Sequence, residues 1–247
     1  MIGCIVQARM GSSRLPGKVL LDIDNKPVLS YLIGQLKFSK KIEKIVIATT
    51  NLSEDDKIVN VAKNNEISYF RGNDSNVLDR FYNCAKKFSF DVIIRITADC
   101  PLIDPEIIDK IVNQYENGNY DYVSNTIKRT FPFGTEVEVF SLIALEFAWK
   151  NAKSKLDKEH VTPFIRRDTK NRNMNFKNEE NLSHLRYTLD YPEDLDVISK
   201  IILKLKKRPI LLIDILNLIK KEPNVISSNK NIKVSTKHLN DLSESID

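Results

Sequence analysis

The chain has 247 residues, 42% apolar and 29% charged, and 38 Lys and Arg against 33 Asp and Glu leave a net charge of +5. That length buries a sizeable core, as one large α/β domain or one domain with a small lobe. The near-balance of charge, with no basic stripe interleaved with aromatics, argues against a nucleic-acid partner.

Cys4, Cys84 and Cys100 stand singly, with no CxxC pair, so neither a zinc site nor a disulfide framework is expected. Cys4 and Cys84 read as small apolar fillers. No run approaches the roughly 18 apolar residues of a membrane span, and the first residues read as a core strand rather than a secretory leader. A cytoplasmic protein is the expectation.

The apolar run at residues 2–6 predicts a buried strand. Directly after it comes QARMGSSRLPGKVL, residues 7–20. This loop offers backbone N–H groups at Gly11, Ser12 and Ser13 and the cations Arg9, Arg14 and Lys18. Arg grips phosphate as a fork and Lys as a point charge, and cations at this density suit a triphosphate. The loop is not a Walker A motif: five residues separate Gly11 from Gly17, and Val19 follows Lys18 where that motif keeps a hydroxyl. The GxGxxG fingerprint is also absent. An ordinary surface loop would carry Gly, Pro and Lys too. Its place after the first strand, and three of the seven glycines by residue 17, favour the phosphate reading.

Asp22-Ile-Asp24 has the letters of a DxD metal motif, but it precedes Asn25-Lys26-Pro27 and reads as a turn. Val28, Leu29, Tyr31, Leu32, Ile33 and Leu36 have helical spacing. A strand is expected at 44–50. Ser53 with Asp56 resembles a capping box before a helix through Ile58, Val61 and Ala62. A strand at 67–70, a helix through Val77, Leu78, Phe81, Tyr82 and Ala85, and a strand at 92–96 follow. This alternation over residues 1–120 predicts a doubly wound, mostly parallel α/β sheet with right-handed crossovers. Such sheets bind ligands beyond the carboxyl ends of their strands. RITADCPLID, residues 95–104, ends the fourth strand there, and Asp99 is placed to hold a metal at the rim.

The second half is less regular. Residues 136–140 and 184–189 alternate like strands, with helices near 141–151, 157–167 and 192–206. The Asn-rich stretch 171–181 reads as a loop and 230–247 as a polar tail. Asp190 ends an apolar strand as Asp99 does, and two such carboxylates can share one Mg²⁺ with phosphate oxygens and water. Asp194, behind Pro192, suits a helix start. Glu136 and Glu138, two apart, share a face if both lie on a strand; a solvated face would give the same pattern. His160 reads equally well as a partly buried, hydrogen-bonded side chain.

Six stretches together carry a resemblance: VQARMGSSRLPGKVL, FRGNDSNVLDRF, RITADCPLID, GTEVEVFS, KEHVTPFIR and RYTLDYPEDLDV, spanning residues 6–197. The sequence resembles the cytidylyltransferase family that makes CMP-activated acidic sugars, and within it the branch typified by the spore coat polysaccharide biosynthesis protein SpsF. The resemblance implies a nucleotide-diphospho-sugar transferase fold over residues 1–229, with an acceptor-side segment at about 121–190. It implies that an acceptor attacks the α-phosphorus of CTP and releases pyrophosphate, with Mg²⁺ as cofactor, in surface polysaccharide or glycan biosynthesis. By matching motif, Arg9, Ser12, Arg14 and Lys18 are triphosphate ligands, and Ala8 is a backbone contact near the base. Asp79 and Arg80 lie near the base, and Asp99 and Asp190 are the Mg²⁺ carboxylates. Glu136, Glu138 and His160 fall in acceptor-side motifs.

Enzymes for nine-carbon acidic sugars show GGS where this chain has Met10-Gly11-Ser12. The ketodeoxyoctulosonate enzymes carry Ser-Gly-Thr-Asp-Arg where it has Asn76-Val77-Leu78-Asp79-Arg80. The acceptor therefore stays open among a sugar acid, a phosphorylated polyol and a phosphonate, and a homodimer is left open too. A glycosyltransferase using a preformed nucleotide sugar is the competing expectation. A non-catalytic binding module is disfavoured by the presence of both carboxylates and all the loop cations.

Overall fold

The computed structural model describes residues 1–168 and 170–232. In chain order the strands and helices are β1 (Ile2–Gln7), β2 (Asp22–Ile23), β3 (Lys26–Pro27), α1 (Val28–Leu36), β4 (Lys44–Thr50) and α2 (Asp56–Asn64). Then come β5 (Ser68–Gly72), α3 (Val77–Lys87), β6 (Val92–Thr97), α4 (Pro105–Asn117), β7 (Tyr122–Ser124) and β8 (Glu138–Ser141). The order closes with α5 (Leu142–Asn151), α6 (Lys155–His160), α7 (Pro163–Arg167), β9 (Asn173–Asn175), α8 (Pro192–Lys204) and α9 (Leu212–Lys221).

Seven strands form one sheet in the order β5-β4-β1-β6-β8-β7-β9. β1 pairs in parallel with both β4 and β6, and β4 with β5. β8 runs antiparallel to β6 and β7. The expected doubly wound, mostly parallel sheet is therefore present, with one reversed strand inside it. Helices cover both faces, which is why the first strands read as unbroken apolar runs. Cys4, Val6, Ile94, Ile96, Val123 and Val139 enter a core shared with α1, α4, α8 and α9. Ile5, Ile93, Tyr122 and Phe140 enter a second core with α3, α5 and α7. Cys4 and Cys84 are free and buried, as fillers should be.

Several local expectations give way to tertiary structure. The helix expected at 157–167 splits at Val161, whose backbone is left-handed (φ 71°), and restarts with Pro163 in the first turn of α7. Residues 184–189 form no strand; Arg186 makes only an isolated bridge to Phe133. The alternation there arises because Leu185, Tyr187 and Leu189 are buried in the first core. Within 171–181, β9 pairs with β7 as an edge strand despite its polar sequence. Ser53 does not cap α2: it opens a 3₁₀ turn, Ser53–Asp55, and the helix begins behind Asp55 without a side-chain cap. Asp22 and Asp24 lie in the β2–β3 hairpin, turned by left-handed Asp24 and Asn25. Most of the 230–247 tail falls outside the described residues.

Candidate active site

The loop after β1 folds back on one carbonyl. Ser12 N–H and Gly17 N–H both donate to the Met10 carbonyl, at 2.8 and 2.9 Å. Met10 N–H donates to Asp55 Oδ1 at 2.8 Å, and the other oxygen of that buried carboxylate accepts from the N–H and hydroxyl of Thr50. Gly17, at φ 69°, turns the chain into a 3₁₀ segment, Lys18–Leu20. The result swings Lys18 under the loop and leaves Arg9 and Arg14 partly exposed at its edge.

Lys18 joins the two carboxylates singled out in the sequence. Its Nζ lies 2.5 Å from Asp99 Oδ2 and 2.8 Å from Asp190 Oδ1. Arg14 Nη2 is 2.6 Å from the same Asp190 oxygen. Burial pushes the Asp99 carboxyl up, but the Lys18 ammonium and several hydrogen bonds outweigh it and hold it below the usual carboxylate range. Burial likewise pulls the Lys18 ammonium down, and the two aspartates more than reverse that. The Lys18 ammonium and the Asp99 carboxylate therefore keep their charges.

Asp190 is held from behind. Arg186 spans two carboxylates, with Nη2 2.9 Å from Asp190 Oδ2 and Nε 2.8 Å from Asp194 Oδ1. Asp194, 0% exposed, also accepts the N–H groups of Asp190 and Tyr191 and the amide of Asn229. Its role is thus the helix start expected of it, extended to anchoring Asp190. Arg186 was not among the expected site residues. The available signal was a cation in an apolar alternating run four residues before Asp190.

On the expected nucleotide side, Arg80 is 0% exposed. Its Nη1 donates to the Asn73 carbonyl at 3.0 Å, while Nε and Nη2 have no acceptor. Burial, then the nearby Arg9 charge, lowers its pKa to about 10. Asp79 is tied elsewhere: its Oδ1 accepts from Trp149 Nε1 at 2.9 Å, and Trp149 stacks on Tyr82. Ala8 is buried, with its N–H on the Ala48 carbonyl.

Of the expected acceptor residues, Glu136 is linked to the carboxylate pair through Cys100. The Cys100 thiol lies 3.5 Å from both Glu136 Oε2 and Asp99 Oδ1. Burial, then these two carboxylates, pushes that thiol well up, so it stays a donor. Arg129 pairs with Glu136 at 2.7 Å and stacks over Phe133. Glu136 precedes β8 instead of lying on it, because Asn125 braces the chain there: it accepts from Val137 N–H and donates to the Thr135 carbonyl. Glu138, on β8, is buried with its oxygens taken by Arg95, Tyr122 and Thr162. His160 ends α6, and its carbonyl accepts from Thr162 N–H.

Across residues 3–232 the chain matches the family model described as cytidylyltransferase. It belongs to the cytidylyltransferase family. The spore coat polysaccharide biosynthesis protein SpsF of Bacillus subtilis is 31% identical over 83% of this chain and 88% of its own. An uncharacterized protein of Methanocaldococcus jannaschii is 48% identical over 65% of each chain. A 3-deoxy-manno-octulosonate cytidylyltransferase of Anaeromyxobacter is 28% identical, and the match spans about half its length, 48%. Among solved structures, a cytidylyltransferase from Leptospira borgpetersenii superposes with TM-score 0.89 at 34% identity, covering 94% of this chain and 98% of that one. The CMP:2-keto-3-deoxy-manno-octonic acid synthetase complexed with CTP shares the fold, at TM-score 0.64 and 15% identity, over 82% and 98% of the chains. Among the described residues, no helix is long and apolar enough to cross a membrane.

Proposed function

We propose that the protein transfers CMP from CTP to a small anionic acceptor, a sugar acid or a phosphorylated polyol, with release of pyrophosphate. The single observation that carries this reading is the sharing of one ammonium, Lys18, by Asp99 and Asp190, beneath a loop edged by Arg9 and Arg14. Two hard carboxylates from distant parts of the chain that already share one cation suit Mg²⁺, which takes few protein oxygens and completes its shell with phosphate and water. Asp99 and Asp190 would hold that ion. When bound, it neutralises charge on the phosphate oxygens.

The chain's own groups do the remainder. Arg14 and Lys18 donate to the phosphates that leave, where charge develops in the transition state. Arg9, Gly11, Ser12 and Ser13 line the edge on which the triphosphate rests, and Arg80 supplies buried guanidinium N–H groups beside Arg9 on the nucleotide side. Asp79 belongs to that side through the turn it shares with Arg80. Glu136 and His160 face the acceptor, and the likeness to SpsF supports a role in polysaccharide assembly.

Pyrophosphate release from each nucleoside triphosphate, measured against a panel of acceptors, tests the reading. CTP with Mg²⁺ is expected to be required. Asp99→Asn or Asp190→Asn lowers kcat about 10²-fold or more, the scale of losing an electrostatic stabiliser, while the fold survives. Undiminished turnover under chelation, or equal use of all four nucleotides, overturns it.

A further inference from the structure

The second core ends in a charged row. Along the sheet, Ile93, Phe140 and Tyr122 are apolar register neighbours within this core. One step toward the carboxyl end of β6, Arg95 stands opposite Glu138, and Glu138 opposite Ser124. Arg95 reaches Glu138 and, at 3.3 Å, Gln7 Oε1, with Phe81 of α3 beneath its guanidinium. Tyr122 and Thr162 hydroxyls donate to the other Glu138 oxygen at 2.6 and 2.7 Å. Arg166, on α7, sits one turn past Thr162 and donates its N–H to that residue's carbonyl.

The row has too few acceptors. Burial pushes the Glu138 carboxyl up, yet Arg95, the two hydroxyls and the field of Arg166 outweigh it. Arg166 also bears on Tyr122, whose phenol is raised by burial and by Glu138. Two guanidiniums thus act on a single carboxylate that is already satisfied. Arg95 Nε, Arg166 Nε and Arg166 Nη2 are shielded from solvent with no hydrogen-bond partner. Shielded guanidinium N–H groups left without an acceptor are costly, and such N–H pairs match oxyanions in fork geometry. Three residues of chain lie between Arg95 and Asp99, so their Cα atoms are within about 14 Å of each other.

We propose that this row is an oxyanion subsite in which Arg166, with Arg95, takes the carboxylate or phosphate of the acceptor, Glu138 being the counter-ion that orients Arg95. The proposal rests on the cytidylyltransferase reading for the identity of the ligand, but not for the existence of the subsite. It gives the carboxylate or phosphate of that anionic acceptor a place in the fold.

The test compares wild type with Arg166→Gln, each also carrying Lys18→Ala so that phosphate held by the N-terminal loop is told apart. Pyruvate and inorganic phosphate are titrated separately by thermal shift, with CTP titrated in parallel on the Lys18 proteins. Wild type should be stabilised by one or both oxyanions, and Arg166→Gln should bind them at least tenfold more weakly while its CTP response is unchanged. Without ligand, Arg166→Gln should melt higher, by about 2–4 °C for each kcal/mol of relieved charge at this size; a merely structural arginine would lower it. Pyruvate alone responding marks a carboxylate acceptor, and phosphate alone a phosphorylated one. Equal oxyanion binding by both proteins, or none by wild type, overturns the subsite. Failure of CTP to bind wild type instead overturns the nucleotide reading and leaves the oxyanion result standing. If Arg166→Gln does not fold, Arg166→Lys takes its place: it keeps the charge but not the fork, and unchanged oxyanion affinity in it overturns the proposal.

Discussion

The Lys18 ammonium donates to two carboxylates, at 2.5 and 2.8 Å. A cation there keeps Asp99 and Asp190 from facing each other as bare like charges. When a triphosphate arrives, the same ammonium is within reach of the phosphates that will leave, so its removal should be felt selectively. Lys18→Ala should weaken CTP binding by roughly 1.5–3 kcal/mol, the scale of a charge-assisted contact. CMP, lacking those phosphates, should bind nearly as before. Parallel calorimetric titrations with the two nucleotides check this; equal losses would place Lys18 away from the leaving group. Asp55 acts at the same scale but through the backbone, holding Met10 N–H and Thr50 so that the loop departs from the sheet in one direction.

At the scale of elements, α8 and the segment before it work as one anchor. Pro192 opens the helix, and Asp194 at its third position closes back on the Asp190 and Tyr191 N–H groups. Arg186 ties that helix start to Asp190, and the Asn229 amide donates to both Asp194 and the Arg186 carbonyl. Across this pair the planar guanidinium fixes the separation of the two carboxylates more rigidly than a flexible ammonium would. Arg186→Lys should therefore fold but let Asp190 rotate. Its pyrophosphate release should fall about 10- to 100-fold, as when an outer partner of a metal ligand is lost, with a higher Mg²⁺ concentration at half-maximal rate. A Mg²⁺ profile that superposes on wild type would reduce Arg186 to a packing role.

Over the whole molecule, the site exists only where the chain's two halves meet. Lys18 comes from the loop after β1, Asp99 from the end of β6, and Asp190 from the segment before α8. Ligands that bridge these segments should stabilise the native state by mass action, by about 2.7 kcal/mol at a hundred times Kd. For a chain of this size that raises Tm by about 2–4 °C per kcal/mol. CTP with Mg²⁺ should therefore lift the melting temperature by several degrees, and Asp190→Asn should abolish most of that lift. A thermal scan with CTP, with and without chelator, makes the measurement; an unchanged lift in Asp190→Asn would remove Asp190 from the ligand site.

Local composition by itself determined β1, β4, β5 and β6 and the helices between them, because burial writes apolar runs and 3.6-residue spacing into the sequence. It also marked the loop cations, Asp99 and Asp190, because charge at the end of an apolar strand is conspicuous wherever it lies. The reversal of β8, the edge strand Asn173–Asn175 and the break at Val161 were decided only by tertiary structure. The backbone bonds of the two strands depend on partners up to about fifty residues away, as β7 is from β9, and no local pattern encodes such a partner. The same reason hid Arg186, Asn229, Arg95 and Arg166. A buried arginine looks like any surface arginine until the fold supplies the carboxylate it meets, or leaves its N–H groups without one.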